Sequence, residues 1–280
     1  MSEIVTLTES KKKSFRLKVT TYIVSAFLTV LILMPFFYMI KTVFGDDVIL
    51  TPSANGSFDV QYVPRKGFIT WKEFCALFDK ATWIGFKNSV IVTFTSTILN
   101  IYFSALTSYA ITAYEWKLRE AFEKFIIVAM MIPSTVGSVG FIQTAYKYGL
   151  NNKLFIFIIP AIATPMTVFF MRMYLKATFS KEIVESARID GAGEFRIFNQ
   201  IALPLLKPAI ATQAIFCFVA SWSETWVPRI LLIDSAKKTL PIMGSWVGGG
   251  SLLLALPPIL IYLFLSKHIV EGVALGGVKI

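Results

Sequence analysis

The feature of this sequence that most limits its possible folds is a series of long segments without a charged residue. Four are uninterrupted and cover Val19–Ile40, Ser89–Tyr114, Phe125–Tyr146 and Leu154–Met171. A helix needs ~20 mainly apolar residues to cross the hydrocarbon core of a bilayer, and each segment is long enough to do so. These segments predict four membrane-spanning helices.

The C-terminal half contains two further candidate spans. One is Pro208–Ile233, which is interrupted by Glu224 and Arg229 near its far end, and the other lies within Thr239–Ser266. Only 16% of the residues are charged, against about 25% in an average soluble domain. The sequence therefore predicts an all-α polytopic membrane protein with six transmembrane helices, whose termini lie on the same side.

Lysine and arginine predict the orientation of these spans. The net charge is +10. Basic residues precede the first span at Lys11, Lys12, Lys13, Arg16 and Lys18. The short segments on the side of the N-terminus are also richer in Lys and Arg than those on the opposite side, which is typical of cytoplasmic loops. We expect a cytoplasmic N-terminal segment at residues 1–18, a transmembrane domain at 19–280, and both termini in the cytoplasm.

The basic residues do not indicate nucleic-acid binding, because long uncharged stretches separate them and they form no single stripe. Membrane lipid is the partner that their distribution favours. The segment Thr42–Phe86 is then external. Its first part contains Pro52, Gly56 and other turn residues and predicts a loop, while Trp71–Trp83 predicts a short helix. This helix either packs on the outer ends of the spans or contacts an external protein.

Proline and polar residues inside the third span suggest a bend. Pro133 lacks a backbone donor, and it is followed by Ser134 and, further along, by Gln143. Such polar groups are expensive to expose to lipid. Two interpretations remain open for this set, namely a bend that lines a transport pathway and ordinary hydrogen bonding between helices.

The fifth span contains a carboxylate beside two tryptophans. Ser221, Trp222 and Glu224 lie close together, with Arg229 beyond them. A carboxylate within a span is by default a candidate functional residue. The alternative is interfacial anchoring, with Glu224 near Arg229 or a lipid headgroup.

The segment Ser180–Pro204, between the fourth and fifth spans, predicts two short helices around a glycine turn. Ser180 is suited to cap the first helix, and Glu182 suits its first turn. Gly191 and Gly193 permit the positive φ that ends it. The second helix is expected to begin near Glu194 and to stop before Pro204. It is expected to expose three apolar residues, Ile197, Phe198 and Ile201.

Exposed apolar residues on a cytoplasmic loop suit either the membrane interface or a groove on a partner protein. Glu185-Ser186-Ala187 is followed after three residues by Gly191, and later by Ile201-Ala-Leu-Pro204. This pattern resembles the Glu-Ala-Ala loop of bacterial ABC importer permeases. The sequence of Ala187–Ala192 resembles that of the carbohydrate branch, specifically the maltose-type second permease subunit. Other similar segments follow in the same order: Asn88-Ser89, Ile132-Pro133, Ser221-Trp222, Thr239–Pro241 and Gly272–Lys279.

The resemblance implies the type I ABC importer permease fold, with a core at about residues 87–275. It also implies that the loop at about 176–207 forms coupling helices, which sit in a cleft on an ATPase subunit and transmit its closure to the spans. The residues assigned to coupling are Glu185, Ser186, Ala187, Arg188, Asp190, Gly191, Ile201, Leu203 and Pro204. Ser186 departs from the motif, which has alanine there, and the stretch after Pro241 is shorter than usual.

The implied partners are a second permease subunit, a cytoplasmic ABC ATPase dimer, and an extracellular or periplasmic sugar-binding protein, assembled at a bacterial cell (inner) membrane. The permease pair is expected to be a heterodimer, with a second copy of this chain as the alternative. The chain has no Gly-x-x-x-x-Gly-Lys-Ser/Thr loop, so ATP and Mg²⁺ are expected on the ATPase. No residues are spaced for catalysis or metal binding, so neither enzymatic activity nor a bound cofactor is expected in this chain.

A second class of function remains open. An ion- or proton-coupled secondary carrier needs buried ionisable residues and often has inverted repeats. Glu224 is the one strong candidate for such a residue, and no inverted repeat is evident. For the importer, the residues predict a pathway that includes Pro133, Ser134, Gln143, Ser221, Trp222 and Glu224, but they do not identify the sugar.

Overall fold

The computed structural model describes residues 2–52, 58–64, 80–162, 164–243 and 249–276, which are mostly helical. The chain forms two compact units, one of residues 1–74 with 247–252 and one of residues 75–246 with 253–280.

The first unit contains a long helix and a hairpin. Helix α1 covers Ser2–Gly45 and includes the apolar stretch Lys18–Tyr38, which is long enough to cross a membrane. Strands β1 (Asp46–Pro52) and β2 (Phe58–Pro64) pair antiparallel. The prediction of a loop is therefore wrong here, and the fold is mostly rather than entirely helical. Both strands are rich in β-branched and aromatic residues, which favour extended pairing.

The second unit begins with a helix that starts earlier than predicted. Most of the expected short helix Trp71–Trp83 lies outside the described residues, and its last residues belong to α2. The helices of this part are α2 (Lys80–Ala113), α3 (Arg119–Met130), α4 (Ser134–Lys147), α5 (Phe155–Ile158), α6 (Pro165–Thr178), α7 (Lys181–Ile189), α8 (Glu194–Ile197), α9 (Leu203–Leu205), α10 (Lys207–Ser223) and α11 (Trp226–Leu231). The last helix of the chain, α12, covers Gly249–Gly276.

Three helical segments among the described residues are long and apolar enough to span a membrane, namely Lys18–Tyr38, Lys80–Ala113 and Phe155–Thr178. The number rises to as many as five if each of two bent pairs counts as one span. The bend between α3 and α4 is 93°. Pro133 lies at this break with φ −58° and ψ 131°, because its ring fixes φ and it has no N–H to continue the helix. The bend expected at Pro133 is confirmed.

The other bent pair contains most of the predicted fifth span, Pro208–Ile233, as its second part. It joins Glu194–Leu205 to Lys207–Leu231 at 78°, and Glu224 separates α10 from α11 with an extended backbone. The sixth span was expected within Thr239–Ser266, and helix α12 overlaps this stretch. Among the described residues its apolar helix is Leu253–Lys267, which is shorter than the other spans.

Helix α2 runs through the second unit and contacts both of its ends. Near its start, the Asn88 amide donates hydrogen bonds to the carbonyls of Ala236 (3.0 Å) and Lys238 (2.9 Å). Small residues let α6 pack closely against it, since the Ser108 hydroxyl donates to the Val168 carbonyl at 2.8 Å. We call the end of the unit near Ser180–Lys207 the loop end.

Candidate functional site

The first helix of the loop has the predicted cap. Ser180 Oγ accepts a hydrogen bond from the Glu182 N–H at 3.2 Å. Helix α7 ends where Gly191 adopts φ +78°, a conformation that favours glycine. Gly193 has φ −70°, so the prediction of a positive φ is confirmed at Gly191 and wrong at Gly193.

The second helix begins at Glu194 as predicted, but its apolar residues point inward. Ile197 and Phe198 are 0% and 1% exposed, so the expectation that they face outward is wrong. They pack in a core with Tyr109 of α2 and Leu175 of α6. The helical path also continues past the predicted stop through a π-turn, Phe198–Ala202, and α9. The loop is therefore joined to two long helices by a shared apolar core.

The outer surface of the loop carries different apolar residues. Ile189 is 85% exposed and Phe195 is 70% exposed. Such large exposed side chains are expected where a partner covers them. Neither residue was predicted to face outward, because periodicity in helices this short does not show which face is outward.

A polar cluster also ties the loop to α2. Arg188 Nε donates to Glu194 Oε1 at 2.7 Å, and the Tyr114 hydroxyl donates to Glu194 Oε2. The Arg188 guanidinium lies 5.5 Å from the centre of the Tyr114 ring. These hydrogen bonds, above all that from Arg188, lower the pKa of Glu194, so the cluster stays charged at neutral pH. The contact between Tyr114 and Glu194 was not predicted, since it joins residues far apart in the chain.

The other residues assigned to coupling divide by exposure. Ala187 is buried in the core of the loop, and Ile201 and Leu203 are half-buried against it. Ser186 donates to the Glu182 carbonyl at 2.9 Å within α7. The exposed ones are Glu185, Ser186, Arg188, Asp190, Gly191 and Pro204.

A cavity of about 560 Å³ lies between α2, α10 and the α5–α6 segment. It brings together two of the predicted pathway regions, because Ser134, Ser221 and Glu224 all line it. The polar residues that α2 adds were not among those predicted for the pathway. The hydroxyl and amide side chains along its wall are Ser89, Thr93, Ser96, Thr97, Asn100, Ser134, Thr164, Ser221 and Thr239.

Hydrogen bonds link the helices around this cavity. Ser221 Oγ lies 3.2 Å from Ser96 Oγ and 3.3 Å from Thr93 Oγ1. The Asn100 amide donates to the Ala161 carbonyl at 2.9 Å and to the Thr164 hydroxyl. Thr97 Oγ1 is buried in the wall and has no partner among the described residues. The wall is therefore polar, and hydrogen bonds between its side chains hold these helices together.

Glu224 has a structural role at the cavity. Its Oε1 accepts hydrogen bonds from the N–H groups of Trp226 (2.9 Å) and Val227 (3.3 Å), which begin α11. Trp222 is buried and turned toward α12, where its Nε1 donates to the Leu254 carbonyl at 2.9 Å. Gln143 is exposed on α4. This cavity is not lined by Trp222, Gln143 or Pro133.

Helices long enough to span a bilayer, a polar cavity between them and a loop packed on their ends are features of a membrane permease. Residues 101–269 match the family described as the binding-protein-dependent transport system inner membrane component. The chain belongs to this family, and it is therefore a multi-pass membrane protein.

The most similar relatives include two named transport proteins. The arabinooligosaccharides transport system permease protein AraQ of Halalkalibacterium halodurans is 32% identical over 75% of this chain and 80% of its own length. The melibiose/raffinose/stachyose import permease protein MelC of Bacillus subtilis is 32% identical over 83% of this chain and 90% of its own.

A solved structure has the same fold. It is a chain of a bacterial ABC transporter involved in the import of the acidic polysaccharide alginate, with a TM-score of 0.65 and 20% identity over 93% of this chain and 96% of that one. The prediction of an ABC importer permease is confirmed by the family and its fold by this structure.

Proposed function

We propose that this chain is the transmembrane permease of an ATP-driven, binding-protein-dependent carbohydrate importer that works by alternating access. The observation that carries the proposal is the shared core of the loop, α2 and α6, because α2 also lines the polar cavity. A displacement of the loop is thereby passed to a wall of the cavity. Relatives named as permeases for arabino-oligosaccharides and for melibiose, raffinose and stachyose support the substrate class.

The loop serves as the contact for the ATPase dimer, which holds ATP and Mg²⁺. Ile189 and Phe195 supply apolar contacts at its surface, and Glu185 and Asp190 add polar ones. Because Ile197 and Phe198 are packed into the core, the loop moves as a rigid body with α2 and α6. This rigidity is what lets closure of the ATPase dimer change the cavity, since packed cores shift between discrete arrangements rather than deforming continuously.

The cavity serves as this chain's part of the sugar pathway. Sugars present many hydroxyl groups, and the hydroxyls of Ser96, Thr97 and Ser221 both donate and accept hydrogen bonds. A second permease subunit, a heterodimer partner, completes the pathway, and a sugar-binding protein delivers substrate from outside. Residues 1–18, both termini and the loop at 176–207 are cytoplasmic in this arrangement of six spans.

No observation favours the secondary carrier. Its coupling role falls on Glu224, whose Oε1 instead accepts two backbone hydrogen bonds at the start of α11.

Glu224→Gln tests the importer against the carrier. The amide oxygen still accepts both backbone hydrogen bonds, so we expect the variant to keep roughly half or more of the uptake. Glu224→Ala removes both hydrogen bonds to the start of α11 and should lose more, because losing a side-chain acceptor at a helix start costs ~1 kcal/mol. The measurement is uptake of labelled maltotriose, raffinose and arabinotriose by the complete complex in proteoliposomes with its binding protein.

The same proteoliposomes provide the control. Uptake by the native complex and by Glu224→Gln should require ATP and survive an ionophore when ATP is clamped. Uptake that proceeds without nucleotide and disappears with the ionophore would contradict the proposal.

Cysteine labelling tests the orientation. In a background without Cys75 and Cys217, an impermeant maleimide applied to intact cells should modify a cysteine at position 56 and spare those at 11 and 186. Position 186 is chosen because Ser186 is exposed whereas Ala187 is buried. After permeabilisation all three should react. Labelling of 11 or 186 in intact cells would reverse the proposed orientation.

A further inference from the structure

A second pocket lies at the loop end of the unit, apart from the cavity. It has a volume of about 310 Å³ and lies between the end of α2, the start of α3 and the end of α6. Its charged lining residues are Arg119, Arg172, Lys176 and Glu115. None of them is among the residues assigned above to coupling or to the pathway.

The pocket has an excess of positive charge. Among the described residues, three cations line it against one carboxylate, that of Glu115. Glu123 is not a lining residue, but its Oε2 lies 2.5 Å from an Arg172 guanidinium nitrogen. When both carboxylates are counted, one positive charge remains. A ligand with one negative charge balances it.

Arg172 also offers a donor that the protein leaves unused. The ion pair with Glu123 holds one terminal nitrogen, and the side chain is only 14% exposed. Its Nε is buried and has no hydrogen-bond partner among the described residues. A buried donor without an acceptor costs about 1–3 kcal/mol. An anionic oxygen in the pocket would satisfy it once a small rotation of the guanidinium turns this N–H toward the pocket.

The surroundings place this pocket at the level of lipid headgroups. Trp116 is 40% exposed and packs against Phe122, with their ring centres 5.9 Å apart. Leu118 between them in sequence is 66% exposed. Tryptophan is enriched where the bilayer meets water, and exposed apolar residues beside it suit the edge of the acyl region. Basic pockets between spans at this level are suited to anionic headgroups.

We propose that this pocket binds the phosphodiester of an anionic glycerophospholipid from the leaflet at the loop end. A phosphatidylglycerol headgroup carries one negative charge, which matches the single excess cation. Its phosphate oxygens accept from Arg172 Nε and from Lys176, and its acyl chains lie along the exposed apolar residues beside Trp116. The lipid links the ends of α2, α3 and α6.

Quantitative lipid mass spectrometry on the complete complex tests this site. The complex is reconstituted in nanodiscs of phosphatidylcholine and phosphatidylglycerol, extracted and washed, and the retained phosphatidylglycerol is counted per complex. Lys176→Gln should lower its affinity about fivefold, since a Lys or Arg near the surface contributes about that much to binding anionic lipid. Arg172→Lys keeps the charge beside Glu123 but lacks the buried Nε donor, and it should also lose the lipid. Lys207→Gln removes an exposed cation outside the pocket and is the matched control.

Two further arms separate the lipid from other sources of the same chemistry. An excess of inorganic phosphate should leave the lipid bound, because phosphate lacks the acyl contacts, and displacement by phosphate would mean that the pocket is a site for free phosphate. Replacement of phosphatidylglycerol by phosphatidylethanolamine should lower retention to that of Lys176→Gln. Equal retention in Lys176→Gln, Lys207→Gln and the native complex would overturn the proposal, and Lys176→Gln decides the outcome even if Arg172→Lys does not assemble.

Discussion

Gly191→Pro is expected to reduce ATP-dependent uptake by at least about tenfold while the spans remain inserted. Gly191 has φ +78° and its N–H donates to the Arg188 carbonyl at 3.0 Å. Proline requires φ near −65° and has no N–H, so the turn must change. Backbone strain of about 1–3 kcal/mol falls on the connection between α7 and α8. Ile189 and Phe195 then no longer form one surface for the ATPase.

Gly193→Ala is the matched control for this change. Gly193 has φ −70°, and a Cβ there meets no atom within 4 Å. This variant should keep native uptake. ATP hydrolysis and co-purification of the ATPase are measured beside uptake, and we expect Gly191→Pro to lose substrate-stimulated hydrolysis or the subunit itself. Native uptake in Gly191→Pro would refute the coupling role of this loop.

Ser221→Phe is expected to block uptake at the cavity rather than at the loop. Ser221 Oγ sits between Ser96 and Thr93 on the cavity wall, so a phenyl ring at this position occupies the space proposed for the sugar. We expect a loss of at least about tenfold, which corresponds to about 1.4 kcal/mol. The measurement is uptake of the labelled sugar that the native complex transports. Ser221→Ala, which keeps the space open, should retain most of it.

Overpacking is the competing explanation for a loss in Ser221→Phe, since extra volume in a packed site costs about 1–3 kcal/mol. Val219→Phe introduces the same ring on the same helix. Val219 is 37% exposed and does not line the cavity. It should transport normally. Both variants should retain the ATPase and its basal hydrolysis, which separates a blocked pathway from a broken coupling loop. Equal uptake in Ser221→Phe and Val219→Phe would remove this cavity from the pathway.

Features that depend on neighbours in the chain were predictable from the residues. The apolar segments around Val19–Ile40 and Ser89–Tyr114 required helices, because the bilayer core cannot hydrogen-bond free backbone groups. Ser180 and Gly191 marked the start and end of α7, since a cap and a positive φ are local requirements. Pro133 marked a break for the same reason. The resemblance to importer permeases also rested on short motifs in a fixed order.

Features that depend on residues distant in the chain were not predictable. Ile197 and Phe198 are buried because α2 and α6 cover them, and their spacing alone did not distinguish a face toward these helices from a face toward a partner. The contact of Glu194 with Tyr114 joins the loop to the end of another helix. Ser221 lines a cavity only because helix packing brings side chains of α2 next to it. In each case the environment of a side chain is set by helix packing, which short-range periodicity does not encode.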